Sequence, residues 1–306
     1  MKTIKKMKWV GVIYLGFALA SAEVYSKEAE AKNTSDDAQD AKKNAGNADA
    51  KSSDASEDTL YFEQRLVNFP TGVNAKKRDL VFGLQHRFVA DMLNPAQNKA
   101  SDFFGLDAGA QFTVDFSYGI TDWLMAGVNR SSVNKNVEGY AQAALIKEFA
   151  EGEGGVTRKN PFSLSVKAGA AIGLREGIDD MWSGNFQAIA ARDLFGGRLH
   201  LYVVPSFTTR AHYSEDQRQA VGNVGFGAYV APLGVKSMLR LVGEYGVAYR
   251  AYNEYANPWG GGFHLVTGDH TFAIIASNAM GTSLDLYAQG KNEFHLGFNL
   301  TRVFGM

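Results

Sequence analysis

From Lys77 onward the chain is dominated by segments in which apolar and polar side chains alternate one by one. In LDAGAQFTVDFSY, Leu106, Ala108, Ala110, Phe112, Val114, Phe116 and Tyr118 share one face of an extended strand. Asp107, Gly109, Gln111, Thr113, Asp115 and Ser117 share the other. A period of two is the signature of a β-strand with unlike faces. Two aspartates on one face require water or charged partners rather than a dry core. The same alternation predicts strands over 78–90, 106–118, 122–131, 137–149, 161–173, 184–195, 198–209, 222–231, 236–250, 260–267, 270–277 and 293–304.

The connections sort by length. Gly119-Ile120-Thr121, Gly196-Gly197, Pro232 to Val235 and Gly268-Asp269 read as tight turns on one rim. The stretches 91–105, 174–183, 210–221, 251–259 and 278–292 read as long loops on the other, with a short 132–136 and a long 150–160 breaking the rule. Short turns at one end and long loops at the other, on an even number of strands, is the asymmetry of outer-membrane barrels. The sequence therefore predicts an all-β fold: a closed antiparallel transmembrane β-barrel of about 12 strands over 78–306.

The direction of the faces follows from their chemistry. Gln85, Arg87, Asp107, Gln111, Asp115, Lys167, Arg240 and Glu244 fall on the polar face and are the candidate lumen-facing residues. A barrel this wide can hold such side chains around water and ion pairs, while its apolar face turns to lipid. Tyr118, Trp123, Phe195, Tyr249 and Trp259 stand near strand ends, where interfacial aromatic girdles belong. A soluble β-sandwich is the alternative that shares the period.

Upstream, MKTIKKMK precedes the apolar run WVGVIYLGFALA and then Ala20-Ser21-Ala22, which reads as a signal peptide over 1–22 with cleavage after Ala22. Residues 23–58 are nearly all Ala, Lys, Asp, Glu, Ser, Asn, Gln and Gly, too poor in apolar side chains to offset the entropy of ordering. They are expected to form a disordered periplasmic segment able to contact a periplasmic protein partner. Residues 59–77 form a lead-in to the barrel.

The remaining composition narrows the chemistry. The chain has no cysteine, so disulfides, thiolate metal sites and a lipoprotein anchor are excluded. The formal net charge of -1, with basic residues spread along the chain, gives no sign of nucleic-acid binding. No HExxH, EF-hand or GxSxG pattern occurs, and GEGG at 152–155 lacks the lysine of a phosphate loop. His264 and His270 flank a turn and are placed to approach one another across a hairpin. No catalytic, metal or cofactor residues are assigned.

QHRF at 85–88, FFGLDAGAQFTVDFSYGITDWLMAGVNRSS at 103–132 and GDHTFAIIASNAM at 268–280 resemble the DUF5777 family of predicted outer-membrane β-barrel proteins of Bacteroidetes-type bacteria. The resemblance covers roughly 78–306. It implies an exported barrel in the bacterial outer membrane, surrounded by outer-membrane lipid, and brings no catalytic residues with it.

Two functions fit. The leading expectation is a small channel or porin for hydrophilic solutes, marked by a continuous wet lumen lined by the charges above. The alternative is a non-conducting structural or partner-binding scaffold, marked by a filled lumen in which Arg87, Lys167 and Arg240 meet Asp107, Asp115 and Glu244. An outer-membrane enzyme and a soluble exported β protein come behind these two.

Overall fold

The computed structural model describes residues 63–97, 106–107, 109–152, 155–174, 182–211, 220–249 and 255–305. The expected signal peptide and charged segment lie outside the described residues.

All twelve expected strands form, and they close. In chain order they are β1 (Leu80–Phe88), β2 (Ala110–Thr121), β3 (Leu124–Ser131), β4 (Asn136–Ile146), β7 (Ser163–Gly173), β8 (Trp182–Leu194), β9 (Leu199–Thr208), β10 (Val221–Val230), β11 (Leu239–Tyr249), β12 (Trp259–Thr267), β13 (His270–Ser277) and β14 (His295–Phe304). Each pairs antiparallel with its chain neighbour, and β1 pairs with β14 to complete the ring. Closure leaves the sheet no free edge, which hydrocarbon would not tolerate. Between β4 and β7, a separate hairpin of β5 (Phe149–Gly152) and β6 (Gly155–Arg158) fills the long connection on the turn rim. Arg158 ties it to the barrel through Glu148 at 3.0 Å and Asp193 at 3.2 Å.

The pairing register preserves the alternation across strands. Phe82 lies opposite Phe116 on the outside, their rings 5.4 Å apart, while Gln85 and Thr113 lie opposite one another on the inside. Phe112, Phe116, Phe186, Phe207, Phe226 and Ile274 are among the large apolar side chains left exposed on the outer face. A continuous apolar exterior on a closed sheet is what lipid solvates, so the soluble sandwich is overturned. Of the expected girdle residues, Tyr118, Trp123, Phe195 and Tyr249 are exposed, whereas Trp259 is half-buried against Phe294.

Two local expectations fail. Gly119-Ile120-Thr121 is not a turn: β2 continues through Thr121, and the reversal falls on Asp122-Trp123. Gly119 instead admits the incoming chain, since a Cβ there would lie 1.9 Å from the Lys76 carbonyl oxygen. The Arg78 N–H donates to Gly119 O, and the Gly119 N–H donates to Asp79 O. The second failure is the start of β2, at Ala110 rather than Leu106.

Candidate functional site

The inner face of the barrel surrounds protein. Residues 63–75 of the lead-in enter the lumen before the chain turns back to begin β1; Glu63, Arg65 to Thr71 and Ala75 are buried, and Gln64, Val73 and Asn74 are half-buried. Within this segment Arg65 bridges Pro70, and the Leu66 N–H donates to Phe69 O, so residues 65–70 make a tight reversal with its tip inside the barrel. From the loop rim, the β13–β14 connection folds inward as well. Residues 278–290 are buried throughout and carry a single helical turn, Leu284–Tyr287.

Glu244 of β11 grips the reversal. Its carboxylate accepts the backbone N–H groups of Val67, Asn68 and Phe69 at 2.9–3.0 Å and the Asn68 side-chain amide at 2.8 Å. Successive backbone N–H groups converging on one anion form a nest, and the short charge-assisted bonds offset much of the desolvation of the carboxylate. Arg65 makes the second attachment. Its guanidinium lies 3.0 Å from Asp115, which also accepts from the Tyr140 hydroxyl at 2.8 Å. A further Arg65 N–H donates to Thr282 O at 2.9 Å, joining the two plug segments to each other.

The loop segment has its own polar socket. Asp285 accepts from Asn136 at 2.9 Å and from Asn185 at 3.0 Å, and Asn185 also donates to Glu138 at 2.7 Å. The Tyr287 hydroxyl accepts from Gln187 at 2.6 Å. Burial, with Glu138 close by, pushes the Asp285 carboxyl up from 3.8 to about 7. Burial likewise pushes Glu63 up from 4.5 to about 7, against the opposing hydrogen bond from Thr301.

Packing completes the filling. Leu66 and Val67 sit among Ile189, Tyr202, Val204, Tyr229, Val242 and Ile275 of the wall. Phe69 packs with Val221, Leu284 and Tyr287, its ring 5.4 Å from that of Tyr287. Glycines in the wall make room: a Cβ on Gly225 would meet the Phe69 ring at 2.5 Å, and one on Gly227 would meet Leu66 at 2.2 Å.

Seven of the eight candidate lumen residues face inward. Gln85, Arg87, Asp115, Lys167, Arg240 and Glu244 are buried there, and Gln111 is half-buried at the rim, where it accepts from Ser132. Asp107 is the exception. It is exposed in a turn ahead of β2, because the alternating pattern continues past the end of hydrogen-bonded pairing.

The expected network among these charges takes a different form, because they meet the plug more than one another. Asp115 pairs with Arg65, and Glu244 takes backbone amides. Arg87 donates to Asn299 at 2.8 Å and to Asn68 at 3.3 Å. Lys167 stands 3.7 Å from the centre of the Tyr140 ring, and Arg240 donates to the Tyr229 hydroxyl. The histidine expectation also fails: His264 is buried inward, while His270 is exposed on the opposite face. Among the described residues no group of three or more His, Asp or Glu is placed to hold a metal ion.

Sequence reasoning missed Glu63, Arg65, Asn68, Glu138 and Asp285. The signal it passed over was FEQRLVNFP, with charges set directly among large apolar residues in a stretch read only as a lead-in.

Fold and interior together define the class: a membrane-embedded antiparallel β-barrel whose lumen is occupied by its own N-terminal segment and one inward-folded loop. The chain belongs to the membrane bound beta barrel domain family DUF5777, whose model matches residues 61–304. That span takes in the whole of the plug segment 63–75. The fold is similar to that of the COG4313 outer membrane channel from Pseudomonas putida F1, with 12% identity, 77% of this chain and 99% of that chain covered, and a TM-score of 0.48. It is also similar to Salmonella typhi OmpF, at 8% identity, 74% and 98% coverage and a TM-score of 0.38. Outer membrane phospholipase A from Escherichia coli aligns at 11% identity, 74% and 90% coverage and a TM-score of 0.37. No curated protein matches the sequence.

Proposed function

We propose that this protein is a bacterial outer-membrane barrel held closed by its own plug, acting as a membrane-anchored scaffold rather than as an open porin. The observation that carries the reading is the Glu244 carboxylate closing on three consecutive backbone amides of residues 67–69 inside the barrel. A pore-lining acid tuned for solute passage keeps its oxygens toward water; this one spends them on the chain that fills the lumen. The charged segment 23–58 lies upstream of the plug in sequence and supplies the surface for a periplasmic protein partner. No catalytic role is assigned.

The test is conductance of the purified full-length chain in a planar bilayer, with heat-modifiable gel migration reporting that the barrel is folded. The expected result is silence from the parent protein and discrete current steps from a variant lacking residues 63–75. Stable, ion-selective steps from the unmodified protein would overturn the proposal in favour of a hydrophilic-solute channel.

A further inference from the structure

The two segments that fill the lumen come from opposite rims. The N-terminal reversal leads into β1 beside the β2–β3 turn, where the Lys77 N–H donates to Asp122 and the Arg78 N–H to Gly119 O. The inward loop leaves the wall at Ser277, the end of β13, and rejoins it at His295, the start of β14, on the other rim. Asn278 pins the neck of this loop, accepting the Trp259 N–H at 2.8 Å and donating to Asn257 O and Lys291 O at 2.9 and 3.1 Å.

Inside the barrel the two segments meet at three levels. At the root of the loop, the Ser277 hydroxyl accepts from the Asn68 amide of the reversal and from the Ala279 N–H of the loop, both at 3.0 Å. Farther along, Arg65 donates to Thr282 O at 2.9 Å. Beyond that, the Phe69 ring packs in one apolar cluster with Leu284, Tyr287 and Ala288. Asn68 and Phe69 are also residues whose backbone N–H groups Glu244 holds. The grip of the wall on the reversal and the grip of the reversal on the loop therefore run through the same side of the same short turn.

A state with one segment seated and the other withdrawn is disfavoured from both directions. Withdrawal of the loop exposes the Phe69 ring and takes the Thr282 acceptor from Arg65; withdrawal of the reversal exposes Tyr287 and Leu284 to the water that enters. We infer that residues 65–70 and 278–290 seat and unseat as one unit, so that the filled lumen relays a conformational change from one rim of the barrel to the other. The wall need not move for this. Whatever stabilises the withdrawn loop at its own rim releases the reversal at the opposite one, and linkage makes the effect reciprocal. The inference rests on the plugged reading above, which conductance of the parent protein tests separately.

The test uses the full-length protein in vesicles, with maleimide labelling of a single reporter thiol on each segment, Val67→Cys on the reversal and Ala288→Cys on the loop, both fully buried positions. Each reporter is combined with a wall substitution that touches only the other segment. Glu244→Gln weakens bonds made to residues 67–69, and Asn136→Ala removes an amide that donates to Ser283 and Asp285 of the loop. Glu244→Gln is expected to raise labelling at Ala288→Cys by the same factor as at Val67→Cys, roughly a hundredfold. Asn136→Ala should raise both by about tenfold. Phe69→Ala, which removes the ring shared by the two segments, should cut the rise that Glu244→Gln transmits to Ala288→Cys at least threefold, separating transmission from a general loosening of the barrel. A rise confined to the segment that the wall substitution touches, in folded protein of either variant, overturns the inference. So does a transmitted rise that Phe69→Ala leaves undiminished.

Discussion

Replacing Glu244 with glutamine tests the plug at its tightest point. The substitution keeps one oxygen and puts an NH2 group where the other stood. If that group replaces Oε2, the N–H groups of Val67 and Phe69 lose their acceptor, each having donated to that oxygen at 3.0 Å. A buried donor left without a partner costs about 1–3 kcal/mol. Part of this is offset, because the neutral amide no longer carries the desolvation penalty of a buried carboxylate. A net loss of about 3 kcal/mol remains, which shifts the undocked population of the reversal roughly a hundredfold. The chain has no cysteine, so a single Val67→Cys provides a clean reporter at a position that is fully buried when the plug is seated. Maleimide labelling of that thiol in folded, membrane-inserted protein measures the undocked fraction when opening and closing are fast. The rate should rise roughly a hundredfold in Glu244→Gln, in line with the free-energy estimate. An unchanged rate in a barrel that still shows heat-modifiable migration would refute the view that this carboxylate holds the plug.

Three further outcomes follow from the same geometry. Phe116→Asp places a charge on the lipid face, where it costs about 1–3 kcal/mol near mid-depth, and should reduce membrane assembly as read by heat-modifiable migration; normal insertion would reverse the assignment of faces. Gly225→Val drives a side chain into the Phe69 ring and should cost about 1–3 kcal/mol in overpacking, raising the labelling rate at Val67→Cys without preventing barrel closure. Asp285 and Glu63 have carboxyls raised to about 7 by burial, so the docked plug favours their protonated forms. Their contribution to docking is fully present below about pH 4 and is lost as pH rises to about 7, with Asp285 alone accounting for on the order of 4 kcal/mol. Labelling of Val67→Cys should accordingly rise across that window, and Asp285→Asn should flatten much of the rise; a pH-independent rate in the parent would contradict the assignment.

The barrel was legible in the sequence because its determinants are local. Side-chain period, turn residues and strand number are set within a dozen residues at a time, and LDAGAQFTVDFSY displays them without help from the rest of the chain. Which side chains point inward was legible for the same reason, as Gln85, Arg87, Asp115, Lys167, Arg240 and Glu244 show. Boundaries were less so: Asp107 continues the alternation but lies beyond the point where β2 finds partners on both sides.

The contents of the lumen were settled only by tertiary structure. Arg65 and Asp115 are separated by fifty residues, and Glu244 and Asn68 by far more, and no periodicity joins them. FEQRLVNFP and NAMGTSLDLY look like connections because they lack alternation, yet alternation marks only chain that must divide two environments. A segment buried on every side inside a barrel meets a single environment, part apolar and part polar, and its sequence therefore carries no period to be read. Closure of the twelve strands creates that environment, and its shape and charge determine which non-strand segments can enter it.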